Sequence, residues 1–270
     1  MLGYRKEGLT MKKGICLNSI PGEDLKTKFE MAKRAGFDGV EPSLTEDKEE
    51  RERIRRAAEE AGMRIHSVMG GLLWKFPLSS PEERVRSKGM EIVALGLEWA
   101  KELGADTLLV VPGVVDKGTP YDKAYERSLA ALKELAPLAE RAGVVICIEN
   151  VWNRFLTSPL EMRRFIEEVG SEFVKAYLDV GNILIYGWPE QWIRILGGLV
   201  RAVHVKDFDL QMKQFVHLLR GDVDWRAVRE ALLDIGYEGY LTVELPPYKS
   251  YPDQMLFDSS AALDRIIKGE

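Results

Sequence analysis

Short apolar runs recur along this chain and alternate with longer stretches in which apolar positions return every three or four residues. Val144–Asn150, VVICIEN, shows the first pattern: consecutive β-branched and apolar residues, as in a strand buried on both faces. Eight such runs read as strands: Gly14–Leu17, Gly39–Glu41, Arg64–Val68, Thr107–Val111, Val144–Glu149, Ala176–Asp179, Ala202–Val205 and Leu241–Glu244. The stretches between them carry helical periodicity over Asp24–Arg34, Lys48–Ala61, Pro81–Leu103, Tyr121–Arg141, Pro159–Val169, Pro189–Leu196, Trp225–Ile235 and Met255–Lys268. Gly36, Gly62, Gly104, Gly143, Gly170 and Gly236 follow helical stretches, where a left-handed residue closes a helix. Ser80-Pro81 and Ser158-Pro159 place a capping hydroxyl before a first-turn proline, and Asp224 is placed to cap the helix that follows it.

Eight strands alternating with eight helices predict an α/β fold, a single (β/α)8 TIM barrel. A doubly wound open sheet is the alternative, and the lack of a glycine-rich phosphate loop favours closure. No linker or low-complexity segment interrupts the pattern. Residues 11–270 therefore read as one domain behind a polar N-terminal extension, residues 1–10, and Met11 is a candidate natural start.

Four of the strands end in the same way. Buried runs finish at Glu149, Asp179, His204 and Glu244, one ligand-type side chain at each carboxyl end. In a barrel, chemistry sits at that end, and residues two apart share a face. If the four point inward, so do Cys147, Tyr177, Ala202 and Thr242, leaving Ile148, Leu178, Val203 and Val243 to pack under helices. The parity agrees on all four strands. Three carboxylates and an imidazole at one mouth repel each other unless a cation lies among them. An oxygen-rich set with one nitrogen suits Mn²⁺ or Mg²⁺, and also accommodates Co²⁺ or Zn²⁺.

Composition narrows the partners. The 270 residues are 46% hydrophobic and 30% charged, with a net charge of −5 and both signs interleaved, which argues against a nucleic-acid surface. No apolar run is long enough to span a bilayer, and the N-terminus lacks the apolar centre of a signal peptide, so a cytoplasmic protein without a membrane partner is expected. Cys16 and Cys147 lie in strand runs without metal-type spacing, which predicts free thiols.

The segments IEN at Glu149, LDVGN at Asp179, HVKD at His204 and VEL at Glu244 resemble the motifs of the sugar phosphate isomerase/epimerase family, the xylose isomerase-like barrels. The resemblance runs from Met11 over nearly the whole chain. With Phe76–Val93 included, it is nearest to L-ribulose-5-phosphate or L-xylulose-5-phosphate 3-epimerases and to D-tagatose 3-epimerase-like proteins. It implies that Glu149, Asp179, His204 and Glu244 bind one divalent metal, usually Mn²⁺, and that Glu149 and Glu244 are also the catalytic acid/base pair. Homodimers or homotetramers are likewise implied. The implied reaction removes the C3 proton of a ketose or ketose phosphate and returns it on the opposite face, through a cis-enediolate that the metal stabilises. Strands five and eight, which carry the glutamates, are expected to face each other across the mouth.

Around this centre, His66, Lys206 and Asn182 are candidate substrate contacts, and Trp74, Trp152 and Trp188 fall in strand-to-helix loops where they can cover a sugar. Arg154 and Lys75 are the loop cations to weigh for a phosphate, whereas Trp99 and Trp192 read as packing and His217 as having no role. Asn182 stands where many free-ketose 3-epimerases have His, and the residues around Leu210 lack those relatives' arginine; both departures argue against a free tagatose or psicose, and the phosphate-type relatives share the Asn. A ketose–aldose isomerase or an inosose-type dehydratase uses the same metal site and is the alternative within enzymes. A DNA-repair barrel of the endonuclease IV type needs a histidine-rich trinuclear centre, and this chain has three His in all. A non-catalytic sugar-binding barrel is expected to have lost a glutamate, and both are present.

Overall fold

The computed structural model describes residues 11–270; the proposed extension, residues 1–10, lies outside the described residues. The chain runs β1 (Lys12–Cys16), α1 (Leu25–Ala35), β2 (Gly39–Glu41), α2 (Lys48–Ala61), β3 (Arg64–Ile65), β4 (Ser67–Met69), α3 (Glu83–Glu102), β5 (Thr107–Val110) and α4 (Tyr121–Ala142). It continues through β6 (Val145–Glu149), α5 (Pro159–Val169), β7 (Val174–Asp179), the single turn α6 (Val180–Ile183), α7 (Pro189–Leu196), β8 (Val200–Val205), β9 (Asp207–Asp209), β10 (Gln214–Val216), α8 (Trp225–Asp234), β11 (Tyr240–Val243) and α9 (Gln254–Lys268).

The main sheet is parallel throughout, in the order β3-β2-β1-β11-β8-β7-β6-β5-β4. Its two ends are halves of one barrel strand. Arg64 registers with Gly39 on β2, while Ser67 registers with Thr107 on β5. Between them the His66 N–H donates to Val40 O at 3.3 Å, and its C=O accepts from Asp106 N at 3.1 Å. The backbone thus closes the ring at His66, which gives the expected eight-stranded barrel.

Inward and outward positions follow the predicted parity. Ile148, Leu178, Val203 and Val243 are fully buried beneath the helices, each such side chain contributing about 1.5–3 kcal/mol relative to exposure. Trp99 and Trp192 are core residues, and Cys16 and Cys147 are buried free thiols. All six predicted closing glycines have positive φ, from 60° at Gly62 to 87° at Gly36. Caps divide into two groups. Asp224 accepts from Ala227 N at 3.0 Å as expected, and Asp24 does the same for Thr27 N at 2.8 Å. Ser158 occupies the N-cap of α5 but accepts no capping bond. The Ser80-Pro81 signal falls short of its helix: α3 starts at Glu83, and Ser80 Oγ accepts from Glu82 N at 3.2 Å in the turn before it. Among the described residues no helix is long and apolar enough to cross a membrane.

Candidate active site at the carboxyl mouth of the barrel

Glu149 and Asp179 are the last residues of β6 and β7, His204 is next to last in β8, and Glu244 directly follows β11. Glu244 keeps the sheet register, its N–H donating to Val205 O at 3.3 Å. These four strands are consecutive around the barrel, so one side of the mouth carries the whole set. A donor atom from each of the four lies within 4.8 Å of the others. From His204 Nδ1 the distances are 3.2 Å to Glu149 Oε1, 3.8 Å to Glu244 Oε2 and 4.0 Å to Asp179 Oδ2.

The strand ends are latched by amides. Asn150 Nδ2 donates to Asp179 O at 2.9 Å, and Asp179 N donates back to Asn150 Oδ1 at 2.8 Å. Asn182 N donates to Asp179 Oδ1 at 2.7 Å, while Asn182 Nδ2 donates to Asn150 O at 3.0 Å. This ties the IEN and DVGN segments into one rigid unit and leaves Asp179 Oδ2 facing the cluster. That oxygen is buried and accepts no well-aligned hydrogen bond, although Lys206 Nζ is 2.9 Å away. A buried carboxylate oxygen needs a cation beside it, and here the single ammonium of Lys206 answers a cluster of three carboxylates. Three carboxylates and one imidazole nitrogen fit a single divalent ion.

Lys206 lies among the same carboxylates. Its ammonium donates to Glu244 Oε2 and sits 4.8 Å from the centre of the Phe215 ring. An added Cβ on Gly181 would stand 2.6 Å from Lys206 Cγ, so the glycine of DVGN admits the lysine stem. Burial opposes the charge of Lys206, but Asp179, Glu244 and Glu149 outweigh it and hold its pKa above the usual lysine range. Burial pushes Glu149 up to about 7 against the pull of His204, and raises Asp179. It also works against Glu244, where His204 and Lys206 prevail and keep that carboxyl below its ordinary value.

A cavity of about 200 Å³ opens over the cluster. Glu149, Asn182, Lys206 and Glu244 line one side of it, while Met69, Leu109 and Val111 line the other, with Trp74 and Trp152 at the rim. The two tryptophans are half exposed, at 50% and 46%. Trp152 Nε1 donates to Asn182 O at 3.0 Å, and its ring stacks on Phe215 at 4.7 Å.

This part of the chain is similar to known proteins in sequence and shape. The profile of the xylose isomerase-like TIM barrel family matches residues 29–266. The chain belongs to that family. Among curated relatives, L-ribulose-5-phosphate 3-epimerase UlaE of Escherichia coli K12 is 27% identical over 244 residues, 86% of each chain. The same protein of Salmonella paratyphi A matches to the same extent. Among solved structures, D-psicose 3-epimerase from Clostridium cellulolyticum H10 superposes with a TM-score of 0.77 at 23% identity, over 95% of this chain and 99% of that one. The 3-keto-D-glucoside 4-epimerase YcjR of E. coli gives 0.79 at 22%, over 95% and 99%. At these identities the structural likeness establishes the family's barrel.

Within that barrel the sequence-derived candidates separate. Lys206, Asn182, Trp74 and Trp152 reach the cavity. His66 does not line it: its Nε2 is 2.9 Å from Thr242 Oγ1, and its ring stacks on Tyr240 at 4.0 Å, deeper in the barrel. Arg154, Lys75 and Trp188 are exposed and also stand outside the lining.

Three further residues were not anticipated. Glu41 ends β2 fully buried beneath His204, and GVE carries the same signature as the four strand ends. Asp207, the last residue of HVKD, accepts from Trp225 Nε1 at 2.9 Å and from Val223 N at 3.1 Å. Phe215 comes from the β9–β10 hairpin, which no periodicity announces. Cys16, Glu41 and His204 also cluster, but His204 Nε2 and Glu41 Oε2 are 2.6 Å apart, a hydrogen bond with no room for an ion between them.

Proposed function

We propose that this chain is a divalent-metal-dependent epimerase that inverts C3 of a ketose or ketose phosphate. The observation that carries the reading is the placement of Glu149 and Glu244. They stand on strands separated by two others, so their carboxylates approach the cluster from its two ends, in a cavity with tryptophan at its rim. Inverting a carbon beside a ketone takes its proton from one face and returns one to the other, which needs two acid/base groups approaching from different sides. Glu149 and Glu244 are assigned those roles.

Glu149, Asp179, His204 and Glu244 would hold the cation. It would supply Lewis acidity toward the ketone oxygen and the neighbouring hydroxyl, making the C3 proton more acidic. Mn²⁺ is the ion we assign, on the oxygen-rich donor set. The Asn150–Asn182 latch fixes Asp179, and Lys206 offers a donor on the polar wall for a substrate oxygen. Trp74 and Trp152 would cover the carbon skeleton and exclude water. The relatives named L-ribulose-5-phosphate 3-epimerase support both the reaction and a phosphorylated pentulose as substrate.

The test uses protein stripped with chelator and reloaded with Mn²⁺ in D₂O. Free ketoses, pentulose 5-phosphates and inososes are followed by NMR. Deuterium at C3 with a second diastereomer is the expected result. Label at C1 or C2 with an aldose product would make the protein an isomerase, and loss of water a dehydratase. No metal-dependent exchange on any compound would overturn the reading. Glu149→Gln and Glu244→Gln should each slow C3 exchange about 10²–10⁴-fold, with bound metal measured in parallel.

A further inference from the structure

The two ring nitrogens of His204 face different neighbours. Nδ1 turns to the mouth and sees Glu149, Glu244 and Asp179, at 3.2, 3.8 and 4.0 Å. Nε2 points into the barrel and meets Glu41 Oε2 at 2.6 Å. Glu41 stands at the carboxyl end of β2, about a third of the way around the sheet from β8, and has no exposed surface. Its other oxygen, Oε1, accepts from Tyr177 OH at 2.9 Å, and the Cys16 thiol donates to Oε2 at 3.4 Å. Tyr177 and Cys16 are themselves buried.

A carboxylate in a barrel interior is expensive unless every oxygen is met by a donor. Here each one is, by residues from β1, β7 and β8. Neither Glu41 nor its partners line the cavity, so the group has no route to a substrate. What it touches is the far nitrogen of a candidate ligand. An imidazole can offer a lone pair from one nitrogen only while its proton sits on the other. Cys16 Sγ is also near Nε2, at 3.6 Å, but an anionic oxygen at 2.6 Å is the stronger acceptor for the ring N–H.

We propose that Glu41 is a positioning residue that keeps the His204 proton on Nε2 and its Nδ1 lone pair aimed at the carboxylate cluster, and so sets how tightly the mouth holds a divalent cation. The inference rests on the metal-site reading above. Tyr177 OH donates to Oε1, and the Cys16 thiol and the His204 ring N–H face Oε2, so every neighbour of Glu41 is a donor that favours its carboxylate form. Tyr177 and Cys16 hold that anion in place, which makes the tautomer a property of four strands rather than of one contact. Carboxylates behind a ligating histidine are worth about 10–100-fold in metal affinity.

The experiment compares full-length wild type with Glu41→Gln, which keeps the size of the side chain and removes its charge. Mn²⁺ affinity is measured by electron paramagnetic resonance titration. Protein with ¹⁵N-labelled histidine, loaded with Zn²⁺, is examined by long-range ¹H–¹⁵N NMR. Wild type should show His204 protonated on Nε2 with a slowly exchanging proton. Glu41→Gln should bind Mn²⁺ about 10–100-fold more weakly and lose that slow exchange. Glu41→Asp and Tyr177→Phe, which keep the charge, should lose only a few-fold, and they carry the test if Glu41→Gln fails to fold. A His204 protonated on Nδ1 in the wild type would overturn the proposal. So would variants that melt earlier with and without metal while their Mn²⁺ affinity stays at the wild-type value. Both outcomes leave the metal site standing. A wild type that binds neither Mn²⁺ nor Zn²⁺ would remove the metal reading itself, and the role of Glu41 with it.

Discussion

His66, with its ring stacked on Tyr240 and Nε2 against Thr242, is held neutral by burial, which lowers its pKa to about 4. An unfolded histidine titrates near 6.5, so between those values the unfolded chain binds a proton that the folded one refuses. The stability is present above pH 6.5 and is lost as the pH falls toward 4, by about 3 kcal/mol in all. Glu149, raised to about 7, works in the opposite sense over the same window, so the loss is read as a difference: between pH 7 and pH 4.5 in urea unfolding, wild type should lose about 2–3 kcal/mol relative to His66→Gln. At this scale the four candidate ligands were legible, because a charge that ends a buried run stands out against its neighbours. Glu41 ends GVE in the same way, but its run is short and its meaning lies in His204, 163 residues away. His66 was misleading as a substrate contact for a related reason. It looks like one more polar strand end, whereas it sits at the break between β3 and β4 and faces the barrel's interior.

Asp207 acts on whole elements. From the end of HVKD it reaches the Trp225 indole at the start of α8 and the backbone of Val223, and its Oδ1 also accepts from Phe208 N at 2.9 Å. An added Cβ on Gly221 would lie 2.3 Å from that oxygen, so the returning chain passes against it. This one carboxylate therefore fixes both ends of the segment that carries the β9–β10 hairpin and Phe215. Asp207→Ala leaves buried donors unmet and should cost about 1–3 kcal/mol per lost partner in urea unfolding. Limited proteolysis should begin within residues 210–220, where the wild type resists. The long strands and helices were readable because their burial is periodic. The hairpin was not: Gln214 and Phe215 are exposed, and the tie that shapes it is a side chain bonded to residues 16 and 18 positions away. The Ser80-Pro81 signal failed for a local reason, since the Ser80 hydroxyl closes a turn two residues before α3 begins.

For the whole molecule, the candidate ligands come from the ends of four separate strands and meet only when those strands pair in the folded barrel. A cation that binds them binds the native state alone and stabilises it by mass action. Mn²⁺ at a hundred times its dissociation constant should add about 2.7 kcal/mol, or roughly 5–10 °C in Tm for a chain of this size. Thermal unfolding with chelator and with graded Mn²⁺ checks this, and Asp179→Asn should lose most of the gain. Barrel closure itself was implied by the count of strands, but its place was not, because the seam at His66 is made by backbone hydrogen bonds that leave no mark on side-chain pattern. The cavity has a second asymmetry. Its polar wall comes from the end of β6, from α6 and from the residues following β8 and β11, while its oily wall comes from β4, β5 and the residues after them. Heredity can therefore edit one wall without rewriting the other. Changes at Met69, Leu109 or Val111 would alter which carbon skeleton fits while the half that carries the candidate ligands stays intact, so a lineage built on this barrel can change its diet and keep its proposed chemistry.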